Sequence, residues 1–437
     1  MSYRSAFALL SLLTLACEAG SNNGGGTPAG GGGGAGAGTP QGGTSSDGGQ
    51  GGTGGSSFAT GGQGTGGGVI ICTPLGPDDD VDQDGFTPNQ GDCEDCDPNR
   101  NPNAIEAPTD DGDEPYDEDC DGDIDEIEAP VICDQSIEVD DMDPFMAFAA
   151  IGLCKESTGP QDWGFVNAAW VMADGAAPPS DPVEAAKFHR GHGFVPDFGP
   201  NVDVREGESM LILSSGTARR PIDPGYSAVS GFDKQIYGGF PQGFPKESPS
   251  CGPTVITGGV RDAAGVELTI RSPANATGLS FDFDFYTFEW PGYVCSTFND
   301  FFIAILDPIP MGQTDGNISF DQLGNPVSVN NALLQVCGCD NNPPNQCQAG
   351  PLFYDCPLGN IALIGTGFGF DAGQFAQNHG SSGWLRTIAP VPGGEEIQLR
   401  YAVHDSGDGV LDSSSLIDNF QWVLEPGTTV GTNPVPQ

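Results

Sequence analysis

Between Asp78 and Glu128 the sequence sets 22 Asp or Glu residues against a single base, Arg100. Sizeable apolar surface comes only from Val81, Phe86, Ile105, Tyr116, Ile124 and Ile127. That is too little for a hydrophobic core, and carboxylates a few ångströms apart repel one another. Left to itself such a segment is an extended acidic coil. Compact structure there requires cations.

The spacing of the acids says how cations could be held. Asp117-x-Asp119-x-Asp121-Gly122, five further residues and Glu128 match the twelve-residue calcium loop at each stated position. Carboxylates at the first, third and fifth places converge on one ion, Gly122 permits the sharp turn, and Asp123 offers its carbonyl. Asp125 fills the ninth place and Glu128 closes with two oxygens. An upstream copy, Asp80-x-Asp82-x-Asp84-Gly85-Phe86, has Gly91 at its twelfth place. Its closing ligand must come from Asp92, Asp95 or Asp97. The flanks Ala107-Pro108-Thr109 and Ala129-Pro130 do not read as helices, so the expectation is a helix-free calcium loop.

From about residue 132 the pattern changes to period two. Val266, Leu268 and Ile270 alternate with polar residues; so do Phe281, Phe283 and Phe285, and again Ile397, Leu399, Tyr401 and Val403. Phe301 to Leu306 and Ile361 to Ile364 read as short central strands. One helix is expected, from Asp143-Pro144 to Cys154. Many short strands separated by Gly, Pro and Asn clusters predict a mainly β fold, a β-sandwich of jelly-roll type over residues 132–425. Residues 426–437 are expected to be a disordered polar tail.

Ahead of the acidic stretch, residues 18 to about 70 are Gly, Ser, Thr, Ala and Gln with almost no charge. Such a linker cannot offset its ordering entropy and is expected to be disordered, with a span of roughly 40 Å. Met1 to Ala16 have the layout of a secretory signal: Arg4, a short apolar stretch from Ala6 to Leu13, then small residues. Thr14-Leu15-Ala16-Cys17 resembles a bacterial lipobox, with Thr14 where Leu is usual. The resemblance implies cleavage before Cys17 and lipid on its thiol, so contact with membrane comes only through the N-terminal lipid. The domain reading is therefore a signal peptide at 1–16, lipidated Cys17 and linker to 70, an acidic module at 72–130, and the sandwich.

Charge and cysteines fit export. A formal charge of −46 repels nucleic acid. Setting Cys17 aside, the remaining 12 of 13 cysteines are an even number, which outside the cytoplasm suggests disulfides. The expected pairs are Cys337 with Cys356 nested over Cys339 with Cys347, Cys133 with Cys154, and Cys251 with Cys295. Cys93, Cys96 and Cys120 are further candidates, and the partner of Cys72 is left open.

Asp82-Gln83-Asp84-Gly85-Phe86, Gly91 to Pro98, Asn103-Ala104-Ile105-Glu106 and Asp119 to Glu126 resemble the metal-binding motif of bacterial surface proteins named after a copper-binding secreted protein. A cysteine usual in that family shortly after Glu106 is replaced by Ala107-Pro108-Thr109, and the resemblance implies that Cys96 takes over its pairing. Copper is disfavoured, because the segment has no His or Met and its hard oxygen donors suit Ca²⁺.

A second resemblance covers most of the sandwich region. Ile151 to Cys154, Leu213 to Arg219, Phe288 to Val294, Asn299-Asp300, Asn317 to Phe320, Pro326 to Asn330, Gly383-Trp384-Leu385 and the closing Asp405 to Phe420 are similar to the choice-of-anchor L domain. That implies an extracytoplasmic location and leaves the activity undefined. Within the last block, Asp405, Asp408, Asp412 and Asp418 form a second, weaker candidate calcium site. Glu289-Trp290 with Tyr293 can be read as a sugar platform or as core packing.

No G-x-S-x-G, H-E-x-x-H or P-loop occurs. The expectation is a surface lipoprotein, exported and lipid-anchored at the bacterial outer membrane or cell surface. Its role is expected to be calcium-stabilised, non-catalytic binding or adhesion toward an unidentified surface glycan or protein. The alternatives are an exported polysaccharide hydrolase and a copper scavenger.

Overall fold

The computed structural model describes residues 72, 76–108, 115–126, 131–230, 232–252, 258–330, 334–338, 346–349, 352–369 and 379–436. The leader, Cys17, the glycine-rich linker, Glu128 and Cys339 lie outside the described residues.

The strands in chain order are β1 (Gly164–Val171), β2 (His192–Val195), β3 (Met210–Ser214), β4 (Tyr237–Gly238), β5 (Val260–Arg271), β6 (Gly278–Thr287), β7 (Phe301–Asp307) and β8 (Val336–Cys337). They continue as β9 (Gln346–Ala349), β10 (Leu352–Asp355), β11 (Gly380–Ser381), β12 (Leu385–Pro390), β13 (Glu396–Ser406), β14 (Ser413–Val423) and β15 (Gly431–Pro434). One sheet runs β1-β5-β13-β7 with β4 on β5; the other runs β15-β12-β6-β14-β3-β2. Every strand-to-strand pairing among the described residues is antiparallel.

In chain order the long strands β5, β6, β7, β12, β13 and β14 pass alternately from one sheet to the other, which gives the β-sandwich its jelly-roll character. Inward residues of both sheets share one core. Phe281 of β6 meets Tyr401 of β13 edge-on at 4.8 Å, and Phe283 stacks on Phe302 at 4.6 Å. The period-two runs form the expected strands because alternate side chains face that core. All ten residues of β6 are buried, since loops with Phe198, Phe368 and Trp384 cover its outer face. Asp282 and Asp284 of that face are therefore enclosed, and each is matched by donors: Arg386 and Arg205 on Asp282, Ser381 and Ser382 on Asp284.

Four expectations need correction. Ile361–Leu363 is a 3-10 turn, not a central strand; Ile361 and Ile364 are exposed, and Gly365 at φ 78° turns the chain away. The helix expected to reach Cys154 is α1 (Met146–Ala150), stopped where Gly152 takes φ 90°. A second helix, α2 (Pro182–His189), begins where Asp181 accepts the amides of Val183 and Glu184 ahead of a proline at the first helical position. The C-terminal tail is partly ordered: β15 pairs with β12, and Thr432 is buried with its hydroxyl 2.8 Å from that of Thr387.

Disulfides join Cys133 to Cys154, Cys251 to Cys295 and Cys337 to Cys356, the pairs expected. Cys72 pairs with Cys96, and Cys93 with Cys120. The sulfur of buried Cys347 stands 3.6 Å from that of Cys356.

Candidate metal centre

The two aspartate loops have one backbone conformation. In the first, Asp80 accepts the amides of Gln83 (2.7 Å) and Gly85 (3.1 Å), Asp82 that of Asp84, and Asp84 that of Phe86. In the second, Asp117 accepts Gly122 N (3.1 Å), Asp119 accepts Asp121 N, and Asp121 accepts Asp123 N. Short aspartate side chains bond amides two residues on, which curls the chain around them. The fourth residue of each loop has positive φ (Gln83 68°, Cys120 63°), as does the sixth (Gly85 97°, Gly122 103°). No α-helix flanks either loop among the described residues.

Around the first loop the chain returns with Asp92 and Asp95, only 6% and 5% exposed. Asp92 Oδ1 takes Glu94 N and Asp95 Oδ1 takes Val81 N, whereas Asp82 Oδ2, Asp92 Oδ2 and Asp95 Oδ2 have no hydrogen-bond donor. Oxygens of Asp80, Asp82 and Asp95 lie within 4.8 Å of one another, and so do those of Asp82, Asp84 and Asp92. Twice a Ca–O bond of about 2.4 Å spans that separation. Asp97, the third candidate for closure, is used in its own turn, accepting Asn99 N.

Around the second loop, Asp117, Asp119 and Asp121 form one such set, and Glu106, Asp119 and Glu126 another. Glu106 reaches in from twelve residues upstream and takes the amides of Glu118 (2.8 Å) and Asp125 (2.9 Å). Glu106 and Glu126 were not identified as ligands from sequence; no fixed spacing marks them, although both end stretches that resemble the metal-binding motif. Asp123 and Asp125 enter through their backbone amides, and their carboxylates belong to neither set.

Burial and the neighbouring Asp84 charge push Asp82 up to about 6. Asp84, Asp92 and Asp119 are also raised, burial being the main cause. These groups resist carrying full charge side by side, which is the electrostatic condition a cation relieves.

The acidic module rests on the sandwich at the β5–β6 turn. Asn275 donates to Ile105 O and accepts Ile105 N, Asn103 O accepts Ala274 N, and Gln161 donates to Gly85 O. Inside the sandwich, Asp405 and Asp412 are buried and Asp408 is half-buried. Asp418 does not join them. It lies six residues along β14, about 20 Å away by strand rise, with one oxygen accepting the amides of Arg205 and Glu206. The acids brought near Asp405 and Asp412 are instead Glu289 and Asp300. The sugar-platform reading fails on burial: Trp290 is fully enclosed and Glu289 is 3% exposed, leaving only Tyr293 partly open. His192 and His404 are core residues against aromatic rings.

No protein-family model matches the chain, and no curated protein matches it.

Proposed function

We propose that this protein is an exported surface lipoprotein in which calcium turns the acidic module into a rigid spacer that carries a non-catalytic, binding β-sandwich. The observation that carries this reading is the pair of like-folded aspartate loops, the first closed by buried Asp92 and Asp95, whose outer oxygens have no protein donor, and the second approached by Glu106 and Glu126. Oxygen-only ligand sets of this kind suit a hard cation, and calcium outside cells is plentiful enough for sites of about millimolar affinity. The lipobox-like start and the resemblance to the choice-of-anchor L domain support the surface location, and a surface glycan or protein is the ligand class.

Copper scavenging is less suitable, because the cysteines nearest the loops are consumed in disulfides. The hydrolase alternative is weakened at its nominated acid, since Glu289 is only 3% exposed. Elemental analysis of protein purified without chelator tests the metal: calcium in excess over copper is expected, and copper at stoichiometric level overturns the reading. A glycan array paired with a turnover assay tests the role, with binding and no turnover as the expected outcome.

A further inference from the structure

A second set of acids lies at one end of the sandwich, where strands of both sheets terminate. Asp405 is the penultimate residue of β13, and Asp300 comes just before β7, whose first residue Phe301 pairs with His404. Asp412 precedes β14, and its carbonyl accepts Phe288 N, which brings Glu289 alongside. The Ser413 hydroxyl donates to Asp300 Oδ2 at 2.7 Å and so links the two sheets. Exposures are 3% for Glu289, 1% for Asp300, 2% for Asp405 and 1% for Asp412.

Their donors do not suffice. No N–H or hydroxyl is directed at either oxygen of Asp405 or Asp412, at Asp300 Oδ1 or at Glu289 Oε2, and the Asp300 and Asp405 carboxyls lie close enough to share a proton. Ser215 stands beside Asp405, but its hydroxyl is directed at Ser413 O. The base within electrostatic reach is buried Lys234, whose ammonium bonds Ser214 O at 2.9 Å. Lys234 also faces Asp262, whose two oxygens already hold the amides of Lys234 and Ile236. One cation thus meets a surplus of enclosed carboxylates, each costing several kcal/mol to bury unpaired. Glycine is required at 216, where a Cβ would collide with the Asp412 carboxylate.

We propose that Glu289, Asp300, Asp405 and Asp412 form a second cation site, oxygen-liganded and of the calcium class, that fastens the ends of β7, β13 and β14 across the two sheets. This site does not rest on the acidic module. Among the described residues, the sets of three carboxylates whose oxygens already lie within 4.8 Å of one another are in that module, so the ion must draw the sandwich acids inward. Protonation is the competing way to discharge them.

The test uses the full chain, calcium alone as probe, and two double variants: D405N/D412N in the sandwich and D82N/D119N in the module. Calcium per chain is measured by mass spectrometry after stripping and reloading, and the melting of the sandwich is followed in EDTA and in about 1 mM calcium, the range of weak extracellular sites. D405N/D412N is expected to bind one calcium fewer than wild type. It is expected to melt above wild type in EDTA, where repulsion is removed, and below it in calcium, where ligands are lost. That reversal persists in the D82N/D119N background, whose own calcium count reports on the module alone. Unchanged stoichiometry, or a D405N/D412N chain more stable in both buffers, overturns the proposal in favour of protons only. If D405N/D412N does not fold, Glu289→Gln carries the same readout.

Discussion

Arg386 lies along Asp282 in a two-point contact, Nε to Oδ1 at 2.6 Å and the terminal nitrogen to Oδ2 at 2.9 Å. The two residues face each other across the β12–β6 pair. The carboxylate is fully enclosed while the guanidinium keeps an edge in solvent, so the charge that needs its partner is the aspartate.

Replacing Arg386 by Met should therefore cost about 2 kcal/mol, less than a wholly buried pair because Arg205 and Asn419 still reach Asp282. The double variant D282N/R386M should recover part of the loss. Urea denaturation of the four chains in one cycle checks both statements.

Gly122 has nothing near its missing Cβ, yet holds φ at 103°. Gly122→Ala should act through backbone strain alone, costing about 1–2 kcal/mol of loop formation. Calcium titration should show affinity for the second loop weakened about tenfold, with the first loop unaffected. Equal affinity in wild type and variant would show that the loop does not bind in this conformation.

Chelation should expose the module before the core. In EDTA, amide hydrogen exchange within 78–108 and 115–126 is expected to accelerate, while amides of β6 and β13 keep their protection. No change in the acidic segment on adding EDTA would sink the calcium-spacer reading.

Asp284 gives a pH signature. Burial pushes its carboxyl up to about 6, against the hydrogen bonds of Ser381 and Ser382. The folded value lies above the unfolded one, near 3.8, so the native state holds the proton more tightly. The resulting stabilisation is full below pH 3.8 and is lost as pH rises through 6. Comparing wild type with Asp284→Asn, the stability difference should move in the variant's favour by about 2–3 kcal/mol between pH 3.5 and pH 7.5. Parallel stability curves would refute it.

Local features were legible in the sequence. The alternation in Val266 to Ile270 and Ile397 to Val403 identified β5 and β13 because a half-buried strand writes its pleat into the chain. The aspartate loops were legible because their conformation is built from bonds two to five residues apart. Features made by distant pairing were not. Asp300 lies more than a hundred positions before Asp405, and they come close because their chain neighbours Phe301 and His404 pair between β7 and β13. Asp418 looked equivalent to Asp412 by spacing, but its place on β14 removes it from that end of the sandwich. Helix α2 was missed although Asp181-Pro182 carries a capping signal, because its apolar face is one residue, Phe188.

The two crosslinks Cys72–Cys96 and Cys93–Cys120 decide how tension would travel if the chain were pulled from the side of residue 72. Covalently, load passes from Cys72 to Cys96, backs through Asp95 and Glu94 to Cys93, and leaves at Cys120. The peptide between 73 and 92 and between 97 and 119 is excluded from that route. A tug that unravels ordinary protein would leave the first aspartate loop unstretched.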